Sequence, residues 1–227
     1  MKFSYAFSAL ILALGFAFSA SWYAPPGFAQ AQMMRALKGV ESVEMQGTVQ
    51  GKTALEAIPN FSMDARLGVD LKQKRGTLQA QGSIADQEKG APFWGDFLAQ
   101  EHKGYVRLSY APLKLINNQW IELEEAVAWS NPEAGRFQLT KRLPNVREDG
   151  RRLAQYAFEM VAQYATGRGT VLLNPKTQLP VVLRGVFVTA GGQGEVFARA
   201  IAYNRPVTVK TPAYVRPAAQ ILDELAE

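Results

Sequence analysis

The chain has 227 residues, 48% of them hydrophobic and 20% charged, with 25 Lys and Arg against 20 Asp and Glu. That length suffices for one domain with a real core without demanding two, and the balance of apolar and charged residues excludes wholesale disorder. No cysteine occurs, which excludes disulfides, thiolate metal sites, a cysteine nucleophile and a lipid-bearing cysteine.

The first 31 residues stand apart. Lys2 is their only charged residue, and Phe3 to Ala20 is an almost unbroken apolar run. A positive residue ahead of an apolar segment is the pattern that export channels read. Ala17-Phe18-Ser19 and Ala29-Gln30-Ala31 both offer small residues at the spacing of a cleavage site. Phe3 to Tyr23 is also long enough to span a hydrocarbon core of roughly 30 Å. A signal peptide and an uncleaved N-terminal membrane anchor with a short linker therefore both stand. Either places residues 32–227, a single domain, outside the cytoplasm, in the periplasm or cell envelope, secreted or tethered.

From Gln32 to Val40, the residues Met33, Met34, Leu37 and Val40 recur at the spacing of a short amphipathic helix. Alternation begins at Val43 to Val49 and repeats in Asn60 to Leu71 and Gly76 to Ile84, with Asp70 to Arg75 as a charged link. Three strands with short links predict an antiparallel meander. Ala85 to Trp94 reads as a loop and Asp96 to His102 as a strand. Tyr105 to Tyr110 and Gln119 to Leu123 read as a hairpin, broken by Pro112 and the Asn117-Asn118 pair. Its alternation asks for one covered face and one wetter face, the mark of a curved antiparallel sheet. Ala126 to Arg136, with Asn131-Pro132 and Gly135, reads as a loop with a helical turn. Arg151 to Ala165 fits two periods, a helical stripe through Leu153, Tyr156, Met160 and Tyr164 and a strand alternation through Ala154, Tyr156, Phe158 and Met160. Gly169 to Leu173, Leu179 to Ala190 and Gly194 to Tyr203 read as strands, turned by Asn174-Pro175 and by Gly191 to Gly194. Pro206, Pro212 and Pro217 then predict an extended strap, and Ala218 to Leu225 a short closing helix. The sum is an α+β domain: a strongly curved antiparallel sheet, a half-barrel of about eight to eleven strands, with a few helices on its concave side.

The order Gly104-Tyr105-Val106-Arg107-Leu108, a proline loop, then Asn118-Gln119-Trp120-Ile121-Glu122-Leu123 resembles the central hairpin of the LppX/LprG and LolA-like family of bacterial envelope proteins. Gly169 to Pro180 and Tyr203 to Val209 extend the resemblance. It implies a strand around Gln155 to Val161. It also implies that the concave side takes the acyl chains of lipids, glycolipids or lipoproteins. Trp94, Phe97, Trp120, Tyr156, Phe158 and Phe187 are the candidate lining residues, with ordinary core packing as the competing role of each.

Catalytic signals are absent. His102 lies between Glu101 and Lys103 and reads as solvated, and no nucleophile elbow, phosphate loop or paired-histidine motif occurs. The glycines around Gly192 are explained by a hairpin turn. Asp64 and Asp70 share strand parity, but nothing nearby marks them as an acid/base pair, and both read as solvated. Basic residues cluster at Lys72/Lys74/Arg75, Lys141/Arg142 and Arg147/Arg151/Arg152, which suits an anionic membrane surface or simply solvated loops. Export and the lack of an aromatic-basic motif argue against nucleic acid. The reading is a non-enzymatic exported carrier or chaperone for a hydrophobic lipid or lipoprotein moiety, with no cofactor and no metal. The alternative is an envelope-anchored structural or sensory domain acting through protein contacts. An open apolar cavity of roughly several hundred Å³ distinguishes the first and a solid core the second, while a buried carboxylate pair in a cleft would instead indicate a hydrolase.

Overall fold

The computed structural model describes residues 27–53, 60–86, 89–100, 103–110, 118–123, 135–162, 165–189 and 192–221. Helix α1 (Phe28–Lys38) is followed by β1 (Ser42–Thr53), β2 (Asn60–Asp70), β3 (Arg75–Asp86), β4 (Lys89–Gln100), β5 (Lys103–Tyr110) and β6 (Trp120–Leu123). Then come β7 (Gly135–Arg142), β8 (Val146–Glu148), β9 (Arg151–Ala162), β10 (Ala165–Leu173), β11 (Pro180–Thr189), β12 (Gly192–Tyr203) and β13 (Arg216–Pro217). They form one 13-stranded sheet in the order β13-β6-β5-β4-β3-β2-β1-β12-β11-β10-β9-β7, with β8 beside β9. Every pairing is antiparallel except the two-residue contact of β13 with β6. The sheet is curved and does not close, since β7 and β6/β13 end it on opposite sides.

Alternation decides the two faces. Val43, Met45 and Val49 of β1 share one face with Met63, Ala65 and Leu67 of β2, where Met45 pairs with Leu67 and Val49 with Met63, and with Leu78 and Ala80 of β3. The same face continues through Phe97, Val196, Ala198, Leu183, Phe187, Val171, Phe158 and Phe137. All are buried because the sheet curls around them and α1 adds Met33 from the concave side. The outer face carries polar residues at the intervening positions, such as Gln46, Asp64, Gln79 and Arg107. A second, smaller core of Leu153, Leu172 and Val182 lies on that outer face, where Val146 of β8 and Phe197 cover it.

Helix α1 begins earlier than its apolar stripe predicts, so residues 28–31, read as linker, are helical. The reason is Gln30, which is 2% exposed. Its Nε2 donates to Phe137 O at 3.0 Å and its Oε1 accepts from Leu139 N at 2.9 Å. The amide thereby occupies the outer side of edge strand β7 as a neighbouring strand would. Strand β4 begins at Lys89, inside the expected loop from Ala85 to Trp94. Among the described residues β5 pairs with β4 as far as Phe93↔Tyr110, so the described partner of Pro92 is Ser83 of β3. Arg136 belongs to β7, while residues 126–134 of the expected loop lie outside the described residues, as does His102. The ambiguous segment from Arg151 is strand β9, and the hairpin of β5 and β6 pairs Arg107 with Trp120.

Asp70 is buried, not solvated. Its Oδ1 accepts from Gln73 N at 2.8 Å, closing the β2–β3 turn, and its Oδ2 lies 3.4 Å from Arg75 Nε. After β12 the predicted strap runs under the end of the sheet. Val207 is buried against Gly68, Thr211 Oγ1 donates to Gln100 Oε1 at 2.8 Å, and Arg216 Nη1 donates to Gln119 Oε1 at 3.1 Å. The closing helix is described from 218 to 221.

Candidate ligand-binding site

The six residues expected to line one cavity divide between two faces. Phe97, Phe158 and Phe187 are buried on the concave face. Phe158 stacks on Phe137 with ring centroids 4.9 Å apart, and Phe187 lies 6.3 Å from Phe158 in a tilted arrangement. Such offset pairs add to the area they bury. Tyr156 joins the same face half-buried, with the Arg142 guanidinium 4.7 Å above its ring. Trp94 and Trp120 lie on the outer face. There they sandwich Arg107, whose guanidinium carbon is 4.9 Å from one ring centroid and 4.8 Å from the other. Arg107 Nε also donates to Asp96 Oδ2 at 3.2 Å. Parity explains the division: Trp94 and Phe97 are three residues apart on one strand and must face opposite ways.

Between α1 and the concave face is a small apolar cavity of about 20 Å³. Met33 of α1 closes it against Met45, Phe137, Val171, Leu183 and Tyr203. Apart from the Tyr203 hydroxyl, which donates to Pro180 O at 2.6 Å, these named side chains offer nothing to a polar ligand. Burial pushes the Tyr203 phenol well above its ordinary range. Among the described residues the space left under α1 is on the order of one water molecule.

The outer face is the opposite in character. Two shallow grooves of about 570 Å³ each lie on it. Gln46, Thr48, Asp64, Gln81, Trp94 and Phe197 wall one of them over a floor that includes Gly47 and Gly95. Its lining is mixed, with Trp94 and Phe197 beside the polar side chains of Gln46, Thr48, Asp64 and Gln81.

Among the described residues no group of three or more His, Cys, Asp or Glu is placed to hold a metal ion. Asp64 is exposed in the outer groove and Asp70 is buried at a turn, about 20 Å along the same strand at ~3.3 Å per residue. They are not a pair. No described helix is long and apolar enough to cross a membrane, and the apolar N-terminal run lies outside the described residues.

Sequence reasoning missed Phe137 and Gln30. Phe137 belongs to a strand that was not assigned, and its only local signal is the alternation of Phe137 and Leu139 between polar neighbours. Gln30 gives no signal at all, because its partners lie 107 and 109 residues away.

The geometry defines an unclosed antiparallel half-barrel with a helix laid on its concave side. No family model matches the chain, and no curated protein matches it. Among solved structures it is similar to a LolA superfamily protein from Nitrosomonas europaea. The identity is 12% over 79% of this chain and 94% of that one, with a TM-score of 0.30. It is also similar to an S-type phycobiliprotein lyase from Guillardia theta, at 10% identity over 80% of this chain and 100% of that one, with a TM-score of 0.26. At TM-scores below 0.5 neither likeness carries an assignment.

Proposed function

We propose that the chain is an exported, non-enzymatic carrier that shelters the apolar part of a lipid or lipoprotein between α1 and the concave face. The observation that supports this reading is the apolar seam under α1, where Met33 meets side chains of β1, β7, β10, β11 and β12. α1 is lightly held. It contributes one fully buried apolar side chain, Met33, with burial of a side chain of that size stabilising by about 1.5–3 kcal/mol. The two Gln30 hydrogen bonds add roughly 1 kcal/mol each. An acyl chain gains about 0.8 kcal/mol per buried methylene, so some six methylenes offset lifting the helix. The ligand would replace Met33 over Phe137 and Leu183.

The small volume of the cavity favours a second reading, a domain with a filled core that acts through protein contacts. Native mass spectrometry with lipid extraction, on protein purified from its own envelope, separates the two. The carrier reading expects a co-purifying lipid that is lost in Met33→Asp and retained in Trp120→Asp, whose side chain lies on the outer face. A clean protein mass with no uptake of added lipid sinks it and leaves the protein-contact reading.

A further inference from the structure

The β8–β9 hairpin carries an electrostatic imbalance that its sequence hides. Along the chain, Arg147-Glu148-Asp149-Gly150-Arg151-Arg152 sets two acids among three bases. In the fold the acids turn away. Glu148 Oε1 accepts from Arg184 Nη2 at 2.9 Å and from Arg199 Nη2 at 2.6 Å, while Asp149 pairs with Arg199. Arg147 and Arg152 are left directly opposite each other across the ladder, both exposed, an arrangement in which like charges destabilise a sheet. Arg151, exposed one position along β9, stands opposite Glu148 in the ladder but makes no ion pair with it, since Glu148 turns to Arg184 and Arg199.

The same edge continues along β7 with exposed Arg136 and Lys141. Among the described residues none of these five cations has an acidic partner. Arg142 gives its hydrogen bonds to neutral acceptors, Gln155 O and Asn145 Oδ1. Three cations elsewhere are matched: Lys72 with Glu41 at 2.9 Å, Arg75 with Asp70 at 3.4 Å and Lys103 with Glu122 at 2.7 Å. Lys52 of β1 and Arg168 of β10 make no ion pair among the described residues, yet each is the single cation of its strand, whereas this edge gathers five such cations. Phe28, 80% exposed, stands at the start of α1, two residues before the Gln30 that is seated on the β7 backbone.

We infer that this edge, the β8–β9 hairpin with the outer side of β7, docks the protein on an anionic lipid bilayer. The hairpin arginines meet headgroup phosphates at one end of the edge, and Phe28, held beside β7 by the seating of Gln30, enters the interface further along it. Cations flanking an exposed aromatic match a surface where charge overlies hydrocarbon, a layering that a soluble acidic protein lacks. The inference is independent of ligand carriage, since a domain with a filled core would dock in the same way.

Co-sedimentation of the full chain with vesicles tests it, using phosphatidylcholine alone and phosphatidylcholine mixed with phosphatidylglycerol, each at low and high salt. Binding should be stronger to the mixed vesicles and should weaken with salt. In the Arg147→Gln, Arg151→Gln, Arg152→Gln triple variant it should fall on the order of a hundredfold, about fivefold per charge removed. Lys72→Gln and Lys103→Gln, which remove matched cations, should leave it near the parent value. The neutral vesicles subtract whatever the apolar N-terminal run contributes. The triple variant should melt no lower than the parent, because it relieves the opposed arginines, so lost binding is not lost fold. Equal binding to the two vesicle types, or a triple variant that binds like the parent, overturns the inference. Displacement from the mixed vesicles by soluble polyglutamate, with retention as tight as on lipid, overturns it in favour of an acidic protein partner.

Discussion

Tyr203 shows how one side chain ties the apolar seam to the solvent pH. Its ring walls the cavity under α1, its hydroxyl donates to Pro180 O, and burial holds the phenol protonated beyond the range of a free tyrosine. The folded-state pKa is raised above the unfolded value of about 10. The stabilisation is therefore complete below about pH 10 and is lost as pH climbs past it, where the unfolded chain ionises first. Melting temperatures should be level from neutral pH to about 10 and fall above that, with a smaller fall in Tyr203→Phe. Parallel curves for the two proteins would remove Tyr203 as the cause. Arg107 makes a different point at the same scale. Trp94 and Trp120 were candidates for the cavity because they are large and apolar, yet each gives a face to one guanidinium on the outer surface. An arginine stacked on indole recovers attraction without being stripped of its charge partner, here Asp96, so tryptophan is stable in that half-exposed position.

The element that best separates what a sequence states from what it conceals is the β8–β9 hairpin. Its turn is written plainly: Asp149 and Gly150 have φ of +48° and +74°, the mirror-image geometry that Asp-Gly favours between strands. A reader of the sequence could have found both flanking strands from that dipeptide alone. The fate of Glu148 was not readable, because Arg184 and Arg199 lie 36 and 51 residues downstream and meet it only after β11 and β12 pair. Likewise the strands at Tyr105 to Tyr110 and Asn60 to Leu71 were legible from period-two alternation, whereas the start of α1 was not, since its anchor is a polar residue. Gly150 offers a test at this scale. A Cβ there would meet nothing within 4 Å, so any loss on substitution comes from the backbone and not from a clash. Gly150→Ala should lower unfolding stability by about 1 kcal/mol in urea titration, and Gly150→Asn by less, because asparagine tolerates the left-handed region. An unchanged midpoint for Gly150→Ala would show that the turn is not a determinant of stability.

Over the whole molecule, the sheet is protected at its two ends by different means. At the β6 side the strap after β12 crosses under the strands and adds β13 as a short parallel partner. At the β7 side there is no further strand among those described, and Gln30 supplies with a side chain what a backbone would otherwise supply. The half-barrel class was predictable because many alternating segments with short turns have few ways to bury one face. Which aromatics point inward follows from parity once the strands are placed. The volume left inside does not, because it depends on how tightly Met33 seats against strands far from it in sequence.

Under the export reading proposed above, the seating of Gln30 also bears on where a leader could be cut. Ala29-Gln30-Ala31 satisfies the small-residue rule for a leader cut, but those three residues lie within a formed helix whose middle member holds the edge of the sheet. Proteases take their substrates extended, and a cut after Ala31 would discard the clamp on β7 together with the leader. A processed protein that keeps this edge closed must therefore be severed upstream of Phe28. Under that export reading, N-terminal sequencing of the processed protein should read a first residue at or before position 28. A first residue of Gln32 would mean that β7 is left to find another partner.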